Sequence, residues 1–187
     1  MFSFAYEYLL ALPDSVALQC VKEFNTAAIQ IFEGQQLDMD FENRQDVQIS
    51  EYLEMIAYKT SVLLAASLKI GAIVGGASEH DQQAVYDFGL NLGLAFQIKD
   101  DYLDAYGDPA SFGKKVGGDI VQNKKTYLYL SAWNKADDNQ KSQLIALQNE
   151  KDESKKVEDT MRLFELLNSG NDSLEAANNF YEKSLIS

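Results

Sequence analysis

The sequence predicts an all-α protein. Three observations carry that reading. Ala, Leu, Lys, Gln and Glu are abundant while proline occurs only twice, a composition that favours helix. Apolar residues recur at three- and four-residue intervals through most of the 187 residues. No stretch alternates apolar and polar residues as a half-buried strand would.

The elements follow in order. Met1–Leu10 is apolar and has no polar capping lead-in, so the chain reads as opening inside a helix, with something upstream removed. Pro13-Asp14-Ser15 starts a second helix expected to run to about Glu33, with Gly34 after it. Asp46 to Ser50 is a polar junction. A long helix is expected from about Ile49 to Val74, and another from Asp81 to about Tyr106. Gly107–Gly118 reads as a loop. Four more helices are expected at Lys124–Ala136, Asp138–Glu150, Ser154–Leu167 and Ser173–Leu185. There is no internal repeat or low-complexity linker, so residues 1–187 read as a single domain. The charged last helices read as a solvated outer layer.

Composition narrows the function. A formal net charge of -13 argues against nucleic-acid binding, which needs a basic face. It leaves room for a diphosphate, because divalent cations bridge carboxylates to phosphates. With one cysteine, Cys20, there is no intrachain disulfide framework, and a cytoplasmic location is compatible. Cys20 lies in an apolar pattern and reads as a core thiol; His80 reads as a surface loop residue. Common zinc sites and a Cys-His pair have almost no material. The apolar stretch Val62–Ser78 contains Lys69 and reads as a packed core helix, not a membrane span.

The chemistry is expected in Phe88–Asp104. On a helix, Gln97, Asp100, Asp101 and Asp104 share an arc of roughly 100°. Leu90, Gly93 and Leu94 continue that arc one turn earlier, and the other side is also apolar, with Phe88, Leu92, Ala95, Phe96 and Leu103. A helix apolar nearly all round is normally interior. Clustered carboxylates there repel unless a proton or a cation neutralises them. A hard divalent ion with oxygen ligands, Mg²⁺ in particular, explains them economically. A solvated acidic helix end is the plain alternative. Leu90, Gly93 and Leu94 would line an apolar lane suited to a hydrocarbon tail behind an anionic head.

Further polar residues accompany this helix. Lys59 and Thr60 interrupt a long apolar stretch, and Gln35 and Asp38 share one helical face. Gly113-Lys114 and Asp119, with Asn123-Lys124-Lys125-Thr126, bring basic groups and flexible backbone just past the carboxylates.

Taken in order, Gly34-Gln35-x-x-Asp38, Lys59-Thr60, Phe96–Asp104, Gly113-Lys114, Asp119 and Asn123–Thr126 resemble the trans-isoprenyl diphosphate synthases, the makers of farnesyl, geranylgeranyl and longer polyprenyl diphosphates. The likeness covers about Met1 to Trp133 well and the rest loosely. It implies an isoprenoid-synthase-type helical bundle, here truncated, and a magnesium-dependent prenyltransferase acting in the cytoplasm as a homodimer. Its substrates would be an allylic diphosphate and isopentenyl diphosphate, joined head to tail. Asp100 would be the direct metal ligand, with Asp101 and Asp104 completing the second aspartate-rich motif. Lys59, Thr60, Gln97, Lys114 and Lys124 would hold the allylic diphosphate, Lys59 and Lys114 acting with Asp100 in drawing it off. Gln35, Asp38 and Asp119 would lie near the site with less defined duties.

One departure is large. The family's first aspartate-rich motif, with its trailing Arg pair, precedes all these segments, and nothing like it occurs before Gln35. The 187 residues thus resemble the C-terminal portion of such an enzyme, and little turnover is expected from them alone. A non-catalytic partner subunit or an acidic helical interaction protein is the alternative. A terpene cyclase is disfavoured, because its usual Asn/Asp-Asp-x-x-Ser-x-x-x-Glu pattern is missing.

Overall fold

The computed structural model describes residues 2–108 and 116–186, and among them every regular element is helical. They are α1 (Phe2–Leu10), α2 (Asp14–Phe41), α3 (Ile49–Ile56), a π turn (Ala57–Ser61), α4 (Val62–Val74), α5 (Glu79–Tyr106), α6 (Gly118–Val121), α7 (Tyr127–Lys135), α8 (Asp138–Gln148), α9 (Glu153–Leu166) and α10 (Ser169–Leu185). The expected all-α class is observed. The chain forms two compact units: residues 1–37, 54–94 and 180–187 make the first, and residues 38–53 and 95–179 the second.

In the first unit, Cys20, Ala27, Ala28, Met55, Ile56, Val62, Ala65, Ala66 and Ile73 are buried. Three glycines set the helix spacing. A Cβ on Gly34 would lie 2.5 Å from the Lys59 backbone nitrogen, one on Gly89 would lie 2.8 Å from Ala65 Cα, and one on Gly93 would lie 2.7 Å from Ser61 Cα. No side chain fits these gaps, so α2 and α5 approach the backbone of the α3–π–α4 helix directly. Gly34 therefore does not follow the end of a helix, as the sequence suggested. It sits inside α2, which continues to Phe41, because the missing side chain serves packing rather than termination.

The Ile49–Val74 helix is long and apolar enough to cross a membrane by length and composition. Its close contacts with Gly34, Gly89 and Gly93 are compatible with the expected packed core helix. Lys69 is accommodated there by an ion pair with Glu23 at 2.9 Å and by the Tyr86 ring, whose centroid lies 5.1 Å from Nζ. His80 is exposed as expected, but on the first turn of α5 rather than in a loop.

In the second unit, Tyr52, Ile98, Leu144 and Phe164 are at most 2% exposed. Side-chain caps define the helix starts. Asp137 forms a reciprocal capping box with Gln140, and Asp152 accepts from the Ser154 and Lys155 amides. Thr126 caps α7 by accepting from the Tyr129 amide. The helix expected from Lys124 thus begins only at Tyr127. Asn123 has a left-handed φ of 58°, which breaks the chain direction before Lys124.

Candidate active site

The last three turns of α5, in the second unit, separate the three aspartates by environment. Asp101 points inward and is 8% exposed. Its carboxylate accepts from the Tyr52 hydroxyl at 2.8 Å and from Gln97 Nε2 at 2.9 Å. Burial pushes its pKa up to about 7, against the two hydrogen bonds, which pull it down, and with help from the Asp119 charge. Burial, and then the Asp101 charge, pushes the Tyr52 hydroxyl well above its ordinary range. Tyr52 therefore stays a neutral donor.

Asp104 faces α6. Its Oδ2 accepts from the Asp119 amide at 2.9 Å, and its backbone carbonyl accepts from the Gly117 amide at 2.7 Å. The turn into α6 favours glycine at Gly117 and is tight at Gly118. Gly117 has φ of 84°, and a Cβ on Gly118 would lie 3.2 Å from Asp104 Oδ1. Burial raises the Asp104 pKa, partly offset by the Asp119 amide. Asp100, by contrast, is exposed.

The segment after α6 returns a cation to this face. Lys124 Nζ lies 2.6 Å from Asp119 Oδ1. Burial opposes the charge, yet the Asp119 partner, with Asp101 and Asp38 adding to it, holds the Lys124 pKa above the ordinary value. Neighbouring Lys125 does something else. It is 6% exposed, lies 4.6 Å from the Tyr129 ring centroid, and has its pKa pushed down by burial. Of the basic pair, Lys124 alone is turned to the carboxylates.

The remaining expected residues are distributed as follows. Lys59 and Thr60 are partly buried on the π turn of the first unit, a backbone irregularity found often at functional sites. Gln35 is exposed in that unit. Asp38 is partly buried in the second. Gln97 is committed through Nε2 to Asp101. Gly113 and Lys114 lie outside the described residues. Gly93 does not line an open lane: Ser61 fills the space beside it, and Leu94 is 7% exposed. Phe96, expected inside, is 64% exposed.

The donor set suits Mg²⁺ in a restricted way. Among the described residues no three carboxylate, histidine or cysteine groups gather into a metal cage. Mg²⁺ needs no such cage, since it binds through one or two carboxylates and keeps its other positions for phosphate oxygens and water. Asp100 offers an exposed hard oxygen donor, while Asp101 and Asp104 are held by hydrogen bonds. Sequence reasoning missed Tyr52. A buried tyrosine needs a partner for its hydroxyl, which is the signal that could have found it.

The polyprenyl synthetase family matches residues 1–167. The chain belongs to that family. It is 42% identical over 166 residues to the short chain isoprenyl diphosphate synthase of Methanothermobacter thermautotrophicus, covering 88% of this chain and 51% of that protein. It is 37% identical over 182 residues to the geranylgeranyl diphosphate synthase of Sulfolobus acidocaldarius, covering 97% of this chain and 54% of that one. Among solved structures, a geranylgeranyl pyrophosphate synthase superimposes with a TM-score of 0.90 at 42% identity, over 97% of this chain and 57% of that one. The geranylgeranyl pyrophosphate synthetase of Pyrococcus horikoshii Ot3 gives 0.91 at 33% identity, over 98% and 56%. This family member thus spans about half the length of the relatives it matches.

Proposed function

We propose that these 187 residues provide the second-aspartate-motif side of a trans-isoprenyl diphosphate synthase, which binds the diphosphate of an allylic substrate through Mg²⁺. The supporting observation is the face on which Asp100 is exposed, Asp101 and Asp104 are fixed by Tyr52, Gln97 and the Asp119 amide, and Lys124 pairs with Asp119. Bound Mg²⁺ would supply charge stabilisation to the departing diphosphate. Asp100 is the ligand best disposed to hold it. Asp101 acts as an internal strut, Asp104 fixes the start of α6, and Lys124 supplies positive charge. The family resemblance adds Lys59, Thr60, Gln97 and Lys114 as diphosphate contacts, with Gln35, Asp38 and Asp119 nearby. Condensation with isopentenyl diphosphate follows from the same resemblance, as do homodimerisation and a cytoplasmic setting.

The sequence holds one Asp-Asp-x-x-Asp, whereas the reaction in this family uses two, so the chain alone is expected to turn over little. Two measurements test the proposal. Pyrophosphate with Mg²⁺ should raise the melting temperature of the purified chain, and Asp100→Ala should abolish the shift while leaving the unliganded melting temperature close to wild type. No shift in the wild-type chain would favour a helical interaction protein instead. Robust diphosphate release from an allylic substrate plus isopentenyl diphosphate would overturn the claim of low activity.

A further inference from the structure

A lysine far from the aspartate motif in sequence, Lys156 on the second turn of α9, is 5% exposed, and no carboxylate pairs with it among the described residues. Its Nζ instead donates to the Val121 carbonyl at 3.0 Å and to the Gln148 carbonyl at 3.2 Å. These are the final carbonyls of α6 and α8, whose acceptors lack intrahelical partners. Burial pushes the Lys156 pKa down, so holding the ammonium there has a cost. A buried cation retained at such a cost calls for a reason beyond packing.

The reason lies in what α6 carries. Residues 117–124 form a short strap, tied at its start to Asp104 through the Gly117 and Asp119 amides. Within it, the Lys124 amide donates to the Asp119 carbonyl at 3.0 Å, and the Lys124 side chain pairs with the Asp119 carboxylate. Asn123, immediately before Lys124, takes the left-handed conformation, φ of 58°, that closes α6, and donates from Nδ2 to the Gln148 carbonyl at 3.1 Å. That carbonyl is the one Lys156 also grips. Asn123 Oδ1 is buried and accepts no hydrogen bond among the described residues, a further cost that is tolerated here. The unsatisfied acceptor marks a conformation fixed by its surroundings. Lys156 and Asn123 converge on the end of α8 and fix the strap there, while Asp104 fixes its other end.

We propose that Lys156 is a positioning residue for the diphosphate site, holding the 117–124 strap so that Lys124 and Asp119 stand in register with Asp104. It touches no substrate and acts through Lys124. This rests on the diphosphate-binding reading above.

The test is a double-mutant cycle on the full 187-residue chain, with Mg²⁺ and inorganic pyrophosphate as the probe, read by titration calorimetry. Lys156→Met keeps the length and apolar stem but removes the donor. It should still unfold cooperatively, weaken pyrophosphate binding at least fivefold in the wild-type background, and weaken it less than twofold in a Lys124→Met background. Lys156→Arg, which keeps the charge and donors, should restore at least part of the loss. An equal loss in both backgrounds, or wild-type affinity in a folded Lys156→Met chain, would overturn the proposal. Hydrogen exchange provides a second arm. Lys156→Met should speed exchange of the Asp119 and Lys124 amides at least tenfold while leaving the amides of α2 unchanged. If the wild-type chain fails to bind pyrophosphate, the diphosphate reading falls and this arm decides the strap: unchanged exchange at both amides refutes it. If Lys156→Met fails to fold, Lys156→Gln replaces it under the same criteria, and loss of folding in both overturns a positioning role in favour of a structural one.

Discussion

The glycine contacts of the first unit give a prediction in which one substitution has opposite signs at two positions. Gly34 and Gly71 both lie inside helices, α2 and α4, with neither at positive φ. On propensity alone, Gly→Ala at either should stabilise by about 0.5–1 kcal/mol. At Gly71 a new Cβ meets nothing within 4 Å, so that gain should appear in full. At Gly34 the Cβ would lie 2.5 Å from the Lys59 nitrogen, 2.8 Å from Tyr58 Cβ and 2.9 Å from the Tyr58 carbonyl carbon. Ordinary contact begins near 3.4 Å, so α2 or the π turn must retreat by about 0.9 Å. Two of the three atoms are backbone and cannot rotate away. Overpacking of this kind costs about 1–3 kcal/mol, which exceeds the propensity gain. The net expectation is a loss of about 1–2 kcal/mol for Gly34→Ala. Urea unfolding followed by circular dichroism measures both variants, with the midpoint falling for Gly34→Ala and rising for Gly71→Ala at unchanged slope. Midpoints that move in the same direction would refute the packing argument.

The Asp101 environment predicts a pH effect on the metal-free chain. Its pKa rises from an ordinary 3.8 to about 7 on folding, so the fold favours the protonated acid. Stability contributed by that proton is fully present below pH 4 and is lost as pH rises to about 7, by at most roughly 4 kcal/mol. Asp101→Asn removes the titrating group, so its stability should change less than the wild type's between pH 4.5 and 8 in EDTA. Parallel pH profiles of urea midpoints for the two proteins would contradict the burial argument. Cys20 supplies an independent check on the first unit. Its thiol is fully buried and burial raises its pKa, so a chromogenic disulfide reagent at pH 8 should label it only on unfolding. Rapid labelling of the folded chain would show that α2 is not packed as described.

Much of the fold was legible because helical periodicity is a local signal. The expected spans of α5, α8 and α9 differ from the observed ones by no more than two residues at either end, the margin at which helix ends fray. The errors fall where one residue type serves two purposes. Glycine ends helices and also permits close approach, and the sequence around Gly34 does not say which. Lys124-Lys125-Thr126 has acceptable helix propensity, but the left-handed Asn123 and the Thr126 cap exclude it from α7. Phe96 fits an apolar pattern yet stands exposed, because periodicity reports where apolar residues lie and not what covers them. The aspartate cluster itself was plain. Its inner partner was not, because Tyr52 is 49 residues away and belongs to another helix.

That division of environments bears on the physics of the motif. Three carboxylates at helical spacing repel one another, and the protein relieves each repulsion differently. Asp101 gives up part of its charge, being about half protonated near pH 7. Asp104 keeps a backbone amide against its oxygen. Asp100 is exposed to solvent. Burial thus lowers the negative charge of the motif at Asp101 and Asp104 before any cation arrives. Lys124 brings a positive charge to this face and its partner Asp119 a negative one, so the pair adds no net charge. On the proposed reading, a divalent ion at Asp100 and the ammonium of Lys124 supply the positive charge that draws a diphosphate to this face, and the strap sets where the second of these stands.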